Sequence, residues 1–156
     1  MGKEVKTFSN SVFLPEVVRL LNEGHTVTIN LRGVSMRPFL EDKRDKAMLR
    51  KAGRLKKGSP VLAEIRPGFF VLHRIIKIDG NTVILRGDGN LNTECCLVSD
   101  VKAEAVGFYR KGRELLDRTS GLKWRIYSFL WADLLPLFGR RCLLYLYRRV
   151  KDRRLG

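Results

Sequence analysis

The chain has 156 residues, enough for one domain or for one domain with an appendage, and its 44% hydrophobic content suffices for a packed core. Charge is where it departs from an ordinary globular protein: 31 Lys and Arg stand against 16 Asp and Glu, a formal net charge of +15. A field of that size implies an anionic neighbour, either nucleic acid or the anionic face of a membrane, and bears on partners rather than on fold. Three cysteines, of which Cys95 and Cys96 are adjacent, make no disulfide framework, and no C-x-x-C pair is present for zinc. A reducing, cytoplasmic compartment and a chemistry without metal or cofactor are therefore expected. The first apolar run, Val12-Phe13-Leu14, is broken by Pro15 and Glu16. It reads neither as a secretory signal nor as a transmembrane anchor.

Residues 10–24 predict a short helix, with Asn10 or Ser11 as cap, Pro15 in its first turn and Gly24 at its end. The next segment alternates: Val27, Ile29 and Leu31 face one way, Thr26, Thr28, Asn30 and Arg32 the other. That is the pattern of a half-buried strand, and it leads directly to Gly33 and Ser35. Residues 41–57 are dense in charge, with eight basic and three acidic side chains, and read as a solvated basic loop. Strands are expected over 61–65 and 69–78, joined at Arg66-Pro67-Gly68. A hairpin turn at Asp79-Gly80-Asn81 leads into a strand over 82–86, and a closing strand follows over 101–109. One helix followed by short strands with tight turns predicts a mainly β domain over residues 1–116.

Residues 117–156 form a basic, aromatic-rich tail. Trp124, Tyr127, Phe129, Trp131 and Phe138 lie in its first apolar block and Cys142 to Tyr147 in a second, with Arg140, Arg141, Arg148, Arg149, Lys151, Arg153 and Arg154 around them. Neither block reaches the roughly 20 apolar residues that cross a bilayer. Two readings stand side by side: helices that pack on the β domain or a partner, or an interfacial segment that brings residues 121–156 into peripheral contact with anionic membrane.

A serine hydroxyl is a weak nucleophile until a base takes its proton, and the base must itself be oriented. The chain has two histidines. His25 lies beside Gly24 at the start of the first strand, where an exposed structural role fits. His73 lies within the long strand on the face of Val71 and Ile75. Lys77 could share that face but sits toward a turn, as a solvated lysine would.

Five segments carry a family resemblance in their order along the chain: Ser35-Met36-Arg37-Pro38, Gly58-Ser59-Pro60-Val61, His73-Arg74-Ile75, Arg86-Gly87-Asp88-Gly89-Asn90 and Val106-Gly107-Phe108. Together they resemble the type I signal peptidases, within a clan that includes the LexA-like self-cleaving repressors. The resemblance spans about residues 26–110. It implies a LexA/signal-peptidase-like fold of coiled antiparallel β-sheets, here with an N-terminal helix and a C-terminal helical tail. It further implies a serine endopeptidase of the histidine type, acting on a leader or precursor peptide. Ser35 would be the nucleophile and His73 the general base. For the acid, the resemblance offers Asp88 in the Gly-Asp-Gly-Asn box and, six residues on, Glu94, where histidine-type relatives carry aspartate. Asp88 is preferred on that account, with Glu94 left open. The Ser35 amide would bind the oxyanion, Gly33 would leave room for a substrate strand, and Met36 and Pro38 would shape the turn.

Two departures narrow this reading. Gly58-Ser59 stands where the family has Gly-Asp, and no N-terminal anchor is read. A specialised peptide-maturation role at the inner face of the cytoplasmic membrane fits better than general secretion. A catalytically inactive peptide- or membrane-binding module is the alternative. A LexA-like regulator is disfavoured because a single helix before Ser35 leaves no room for a helix-turn-helix, so nucleic acid is not the expected partner.

Overall fold

The structure, a computed structural model, describes residues 10–135 and 137–152. The expected caps at Asn10 and Ser11 and the arginines at 153 and 154 lie outside the described side chains. The chain is mainly antiparallel β-sheet with an N-terminal helix and a helical C-terminal segment.

Helix α1 (Asn10–Asn22) buries Leu14, Val17 and Leu21 on one stripe. It stops where Gly24 takes φ +92°, a left-handed conformation that favours glycine, and the His25 N–H closes on the Leu20 carbonyl at 3.1 Å. Eight strands follow: β1 (Val27–Asn30), β2 (Lys46–Lys51), β3 (Pro60–Arg66), β4 (Phe69–Asp79), β5 (Thr82–Arg86), β6 (Glu94–Leu97), β7 (Val101–Tyr109) and β8 (Leu116–Arg118). They form one sheet in the order β1-β2-β7-β3-β4-β5-β6, with β8 pairing the end of β7.

Strand β2 replaces the solvated loop expected over part of residues 41–57. Its charges hide an alternation in which Ala47 and Leu49 are buried while Lys46, Arg50 and Lys51 reach water. The short strands β6 and β8 also went unread. Strand β6 carries one buried side chain, Cys96, and β8 none, so neither has an apolar rhythm to detect.

Two hydrophobic clusters fill the fold. The first joins α1, Ile29, Met36, Phe39, Leu40, Leu49, Leu62 and Phe108; the second joins Val61, Ala63, Ile75, Val83, Leu85 and Val101. Successive residues of β3 therefore point into different clusters, which is why that strand is apolar without alternation.

The tail is part of this packing. Helix α2 (Leu122–Ser128) sends Trp124 into the first cluster, 4.7 Å from the Phe39 ring and 5.0 Å from Phe108. A π-helical segment, Phe129–Leu134, and helix α3 (Leu137–Asp152) complete the chain's described part. The expected division near residue 116 falls inside β8, which is hydrogen-bonded to β7. Of the two readings of the tail, packing on the β domain holds for α2. Replacing Trp124 by Ala is expected to cost about 3–5 kcal/mol of stability, the range for truncating a buried aromatic, read as a lower midpoint in chemical denaturation.

Candidate active site

The turn after β1 holds Ser35. Gly33 starts it with φ +86°, and its N–H donates to Asp42 Oδ1 at 2.8 Å. Met36, Phe39 and Leu40 anchor the turn in the core, and the Arg37 N–H closes it on the Val34 carbonyl at 3.1 Å. Pro38 is half-buried in the same turn. Ser35 is half-exposed, and its N–H makes no hydrogen bond to the described residues. Met36 and Pro38 both lie in this turn, with Met36 buried in the core beneath it.

Ser35 and His73 line one small cavity of about 120 Å³, with Leu31, Met36, Leu40 and Phe70 among its walls. A much larger groove, about 1210 Å³ between the β2–β3 connection and α2, contains neither residue. His73 sits in β4, opposite Val61 of β3, with its side chain 4% exposed. Its Nδ1 is 2.7 Å from Glu94 Oε2, a distance for a charge-assisted contact, although the approach is bent away from a linear hydrogen bond. Nε2 has no hydrogen-bond partner among the described residues and no direct bond joins it to Ser35; unliganded sites commonly show such open geometry. Burial holds the imidazole below the ordinary histidine value, and the Glu94 and Asp88 charges oppose that shift. Burial thus favours the neutral ring, the form able to accept a proton.

Topology explains how Glu94 reaches the ring. Ile75, Leu85 and Glu94 lie in one row across β4, β5 and β6, and His73 is two residues from Ile75 on the same face. Strand β5 ends at Arg86, opposite Arg74, so Gly87 comes next to the imidazole. A Cβ on Gly87 would lie 2.4 Å from the Ser35 carbonyl oxygen and 3.0 Å from His73 Nε2. Only a glycine lets this loop come so close to both residues. Gly89 repeats the device: its N–H donates to the Ser35 carbonyl at 2.7 Å, and a Cβ there would lie 2.6 Å from the Val34 oxygen.

Asp88, the preferred acid from the sequence, faces away from the imidazole's contacts. Its carboxylate accepts a fork from Arg74, Nε at 2.8 Å and Nη2 at 2.7 Å, and a further bond from the Tyr127 hydroxyl at 3.0 Å. Trp131 Nε1 donates to the Asp88 carbonyl at 3.0 Å. Arg74 is wholly buried; its Nη1 also donates to the Gly58 carbonyl and to Ser128 Oγ, and its guanidinium lies 4.7 Å from the Trp124 ring. Burial alone would depress the Arg74 pKa, but Asp88 overcomes it and raises the value. Both Asp88 oxygens are thus taken up by Arg74 and Tyr127, whereas Glu94 Oε2 lies 2.7 Å from the imidazole.

The roles of Arg74, Tyr127 and Trp131 around Asp88 are not read from the sequence, since Tyr127 and Trp131 lie outside every motif and Arg74 enters one only as the neighbour of His73. Arg74 beside His73 was the one available signal, since an arginine inside an apolar strand must find a buried partner. Lys77 is exposed and paired with Asp79, as expected of a solvated lysine, and His25 is exposed. Among the described residues no group of three or more metal-ligating side chains occurs. No protein-family model matches the chain, and no curated protein matches it.

The two carboxylates predict opposite phenotypes. Asp88→Ala strands a buried guanidinium and is expected to lower stability by about 3–5 kcal/mol, whereas Glu94→Gln, a part-exposed neutral isostere, should change it by under about 1 kcal/mol. Urea denaturation of both variants checks this; equal losses would overturn the division.

Proposed function

We propose that the protein is a serine endopeptidase of the histidine type, cleaving a leader or precursor peptide, with a fold of the LexA/signal-peptidase kind and a place at the inner face of the cytoplasmic membrane. The observation that carries the reading is the imidazole of His73: buried, held below the ordinary histidine value, set with Nδ1 2.7 Å from Glu94 Oε2, and lining one cavity with Ser35. The order of motifs around these residues supports the same reading.

In this mechanism a peptide binds extended beside the Ser35 turn, which Gly33 leaves uncrowded. Nε2 of His73 accepts the Ser35 hydroxyl proton as Oγ attacks the scissile carbonyl. The Ser35 N–H donates to the oxygen that becomes negative. Glu94 stabilises the imidazolium and fixes its orientation without taking the proton. His73 then protonates the leaving amine, the C–N bond breaks, and water hydrolyses the acyl-serine by the reverse use of the same base.

The test is incubation with precursor peptides encoded beside its gene and with a mixed-sequence peptide pool, read by mass spectrometry. Wild type should cleave; Ser35→Ala and His73→Ala should each lose on the order of 10³-fold or more. Cleavage by both variants at the wild-type rate would sink the mechanism, and no cleavage by wild type would favour the inactive peptide-binding module.

The acid limb of kcat/KM carries a second expectation. His73 must be unprotonated to work, and its value is held below 6.5, so activity should rise with pH through a midpoint below 6.5. The sign for stability is the same. A lowered folded-state value means the native chain binds fewer protons than the unfolded one, so this contribution is present above 6.5 and lost as pH falls toward the lowered value. A kinetic midpoint above 7 would exclude His73 as the base.

A further inference from the structure

Helix α3 is amphipathic in the inverted sense. Its inward side chains are mostly polar: Arg140 donates to the Trp131 carbonyl, Tyr147 and Lys151 both reach Glu41, and Leu144 is the one buried apolar residue among them. Its outward side chains include most of its large apolar residues, with arginines among and beside them. Phe138 is 78% exposed and Leu146 56%, with Leu143, Tyr145 and Val150 also in solvent. A helix lying on a water-soluble domain has the opposite arrangement, with its apolar stripe on the core. In the preceding segments Ile126, Phe129, Leu130 and Leu134 are exposed as well. Large apolar side chains gathered in solvent in this way mark an interaction surface.

Charge selects the occupant. Taking 100° per residue, Arg141 and Arg148 lie on one flank of the exposed stripe and Arg149 within it, all exposed. Long arginine stems can lie along an apolar surface while their heads reach a phosphate layer. A second copy of this chain would bring a second net charge of +15 to the same face and be repelled. No helix among the described residues is long and apolar enough to cross a membrane, so the arrangement suits lying on a bilayer rather than spanning it.

We propose that the outward face of α3, with the exposed residues of Ile126–Leu134, is a docking surface for anionic phospholipid bilayers. Phe138, Leu146 and Val150 enter the acyl boundary, and Arg141, Arg148 and Arg149 contact lipid phosphates. The docked bilayer comes close to the candidate site. Glu41, which Tyr147 and Lys151 hold from the inner side of α3, lines the cavity of Ser35, so about one helix diameter, ~10 Å, separates that wall from the lipid. A further cleft of about 390 Å³ lies between α3 and Gly89-Asn90-Leu91, walled by Leu91, Phe138, Leu144, Tyr145, Arg141 and Arg148. It gives an acyl chain and an anionic headgroup a place against the loop whose Gly89 amide holds the Ser35 carbonyl.

The experiment is vesicle flotation of the full chain, which reads no proteolysis and so stands or falls separately from the peptidase mechanism. Wild type and Ser35→Ala should float equally with phosphatidylglycerol/phosphatidylcholine vesicles, and at least tenfold less with phosphatidylcholine alone. The double variant Arg141→Glu/Arg148→Glu should lose tenfold or more, since each cation near an anionic surface is worth roughly fivefold in binding. Phe138→Asp/Leu146→Asp should abolish flotation while keeping the wild-type circular dichroism spectrum. Wild type remaining at the bottom with both vesicle types would overturn the proposal. So would flotation unchanged in the Asp variant, or a stable dimer by light scattering that the same variant dissociates.

Discussion

The ion pair between Arg74 and Asp88 is the interaction on which the rest of the site depends. Both side chains are withdrawn from water, which costs several kcal/mol for each charge. The offset comes from a forked pair of hydrogen bonds, from the Gly58 carbonyl, Ser128 Oγ and the Tyr127 hydroxyl, and from the Trp124 and Tyr127 rings beside the guanidinium. These partners come from β4, the loop after β5, the connection before β3, and α2. One buried cation therefore fixes four separated stretches of chain. The loop at 87–90 is held in place by that pair, and it in turn holds Ser35 through the Gly89 amide and abuts His73 through Gly87. The candidate site's geometry thus rests on a pair that makes no hydrogen bond to the Ser35 or His73 side chain.

The same packing separates the work of two carboxylates that the sequence places six residues apart. Asp88 is surrounded by donors and aromatic rings, with its oxygens committed to a permanent cation. Glu94 starts an edge strand, its side chain 35% exposed, and faces an imidazole whose charge changes with its protonation. A carboxylate helps proton transfer only if its field is directed at the group that becomes charged; one already neutralised by a guanidinium contributes little. Glutamate's extra methylene is suited to the diagonal reach across the end of β5, where an aspartate from the same backbone position would be shorter.

The fold class was legible because β1, β4, β5 and β7 have apolar rhythm and glycine-marked turns. Ser35 and His73 stand out as candidates because the chain offers two histidines and orders its motifs distinctively. What escaped did so for physical reasons. Strand β2 hides Ala47 and Leu49 among lysines and arginines, so a local count of charge outweighed the alternation. Which of Asp88 and Glu94 lies against the imidazole is a tertiary matter, set by where Arg74 points, and Arg74 is satisfied by residues up to 54 positions away. The packing of Trp124 against Phe39 and Phe108 joins α2 to a turn and a strand far apart in sequence, and no periodicity in α2 encodes it.

Helix α3 completes the electrostatic picture. Glu41 is buried, and burial alone would push its carboxyl upward; Lys151, Tyr147 and Arg37 overcome this and hold it below the usual carboxylate range. Tyr147 is pushed the other way, up to about 12, by burial and by the same carboxylate. The helix is thus fastened to the domain chiefly by charge-assisted bonds to one acidic residue on the cavity wall, while little apolar area is buried beneath it. Such contacts fix position well but supply little of the free energy that usually orders a helix, which comes from burying an apolar face. In α3 that face is turned outward, so its burial depends on the surroundings of the molecule. A bilayer that covers it would stabilise the helix, and through Glu41 the wall of the cavity, by the ordinary linkage of binding to local order.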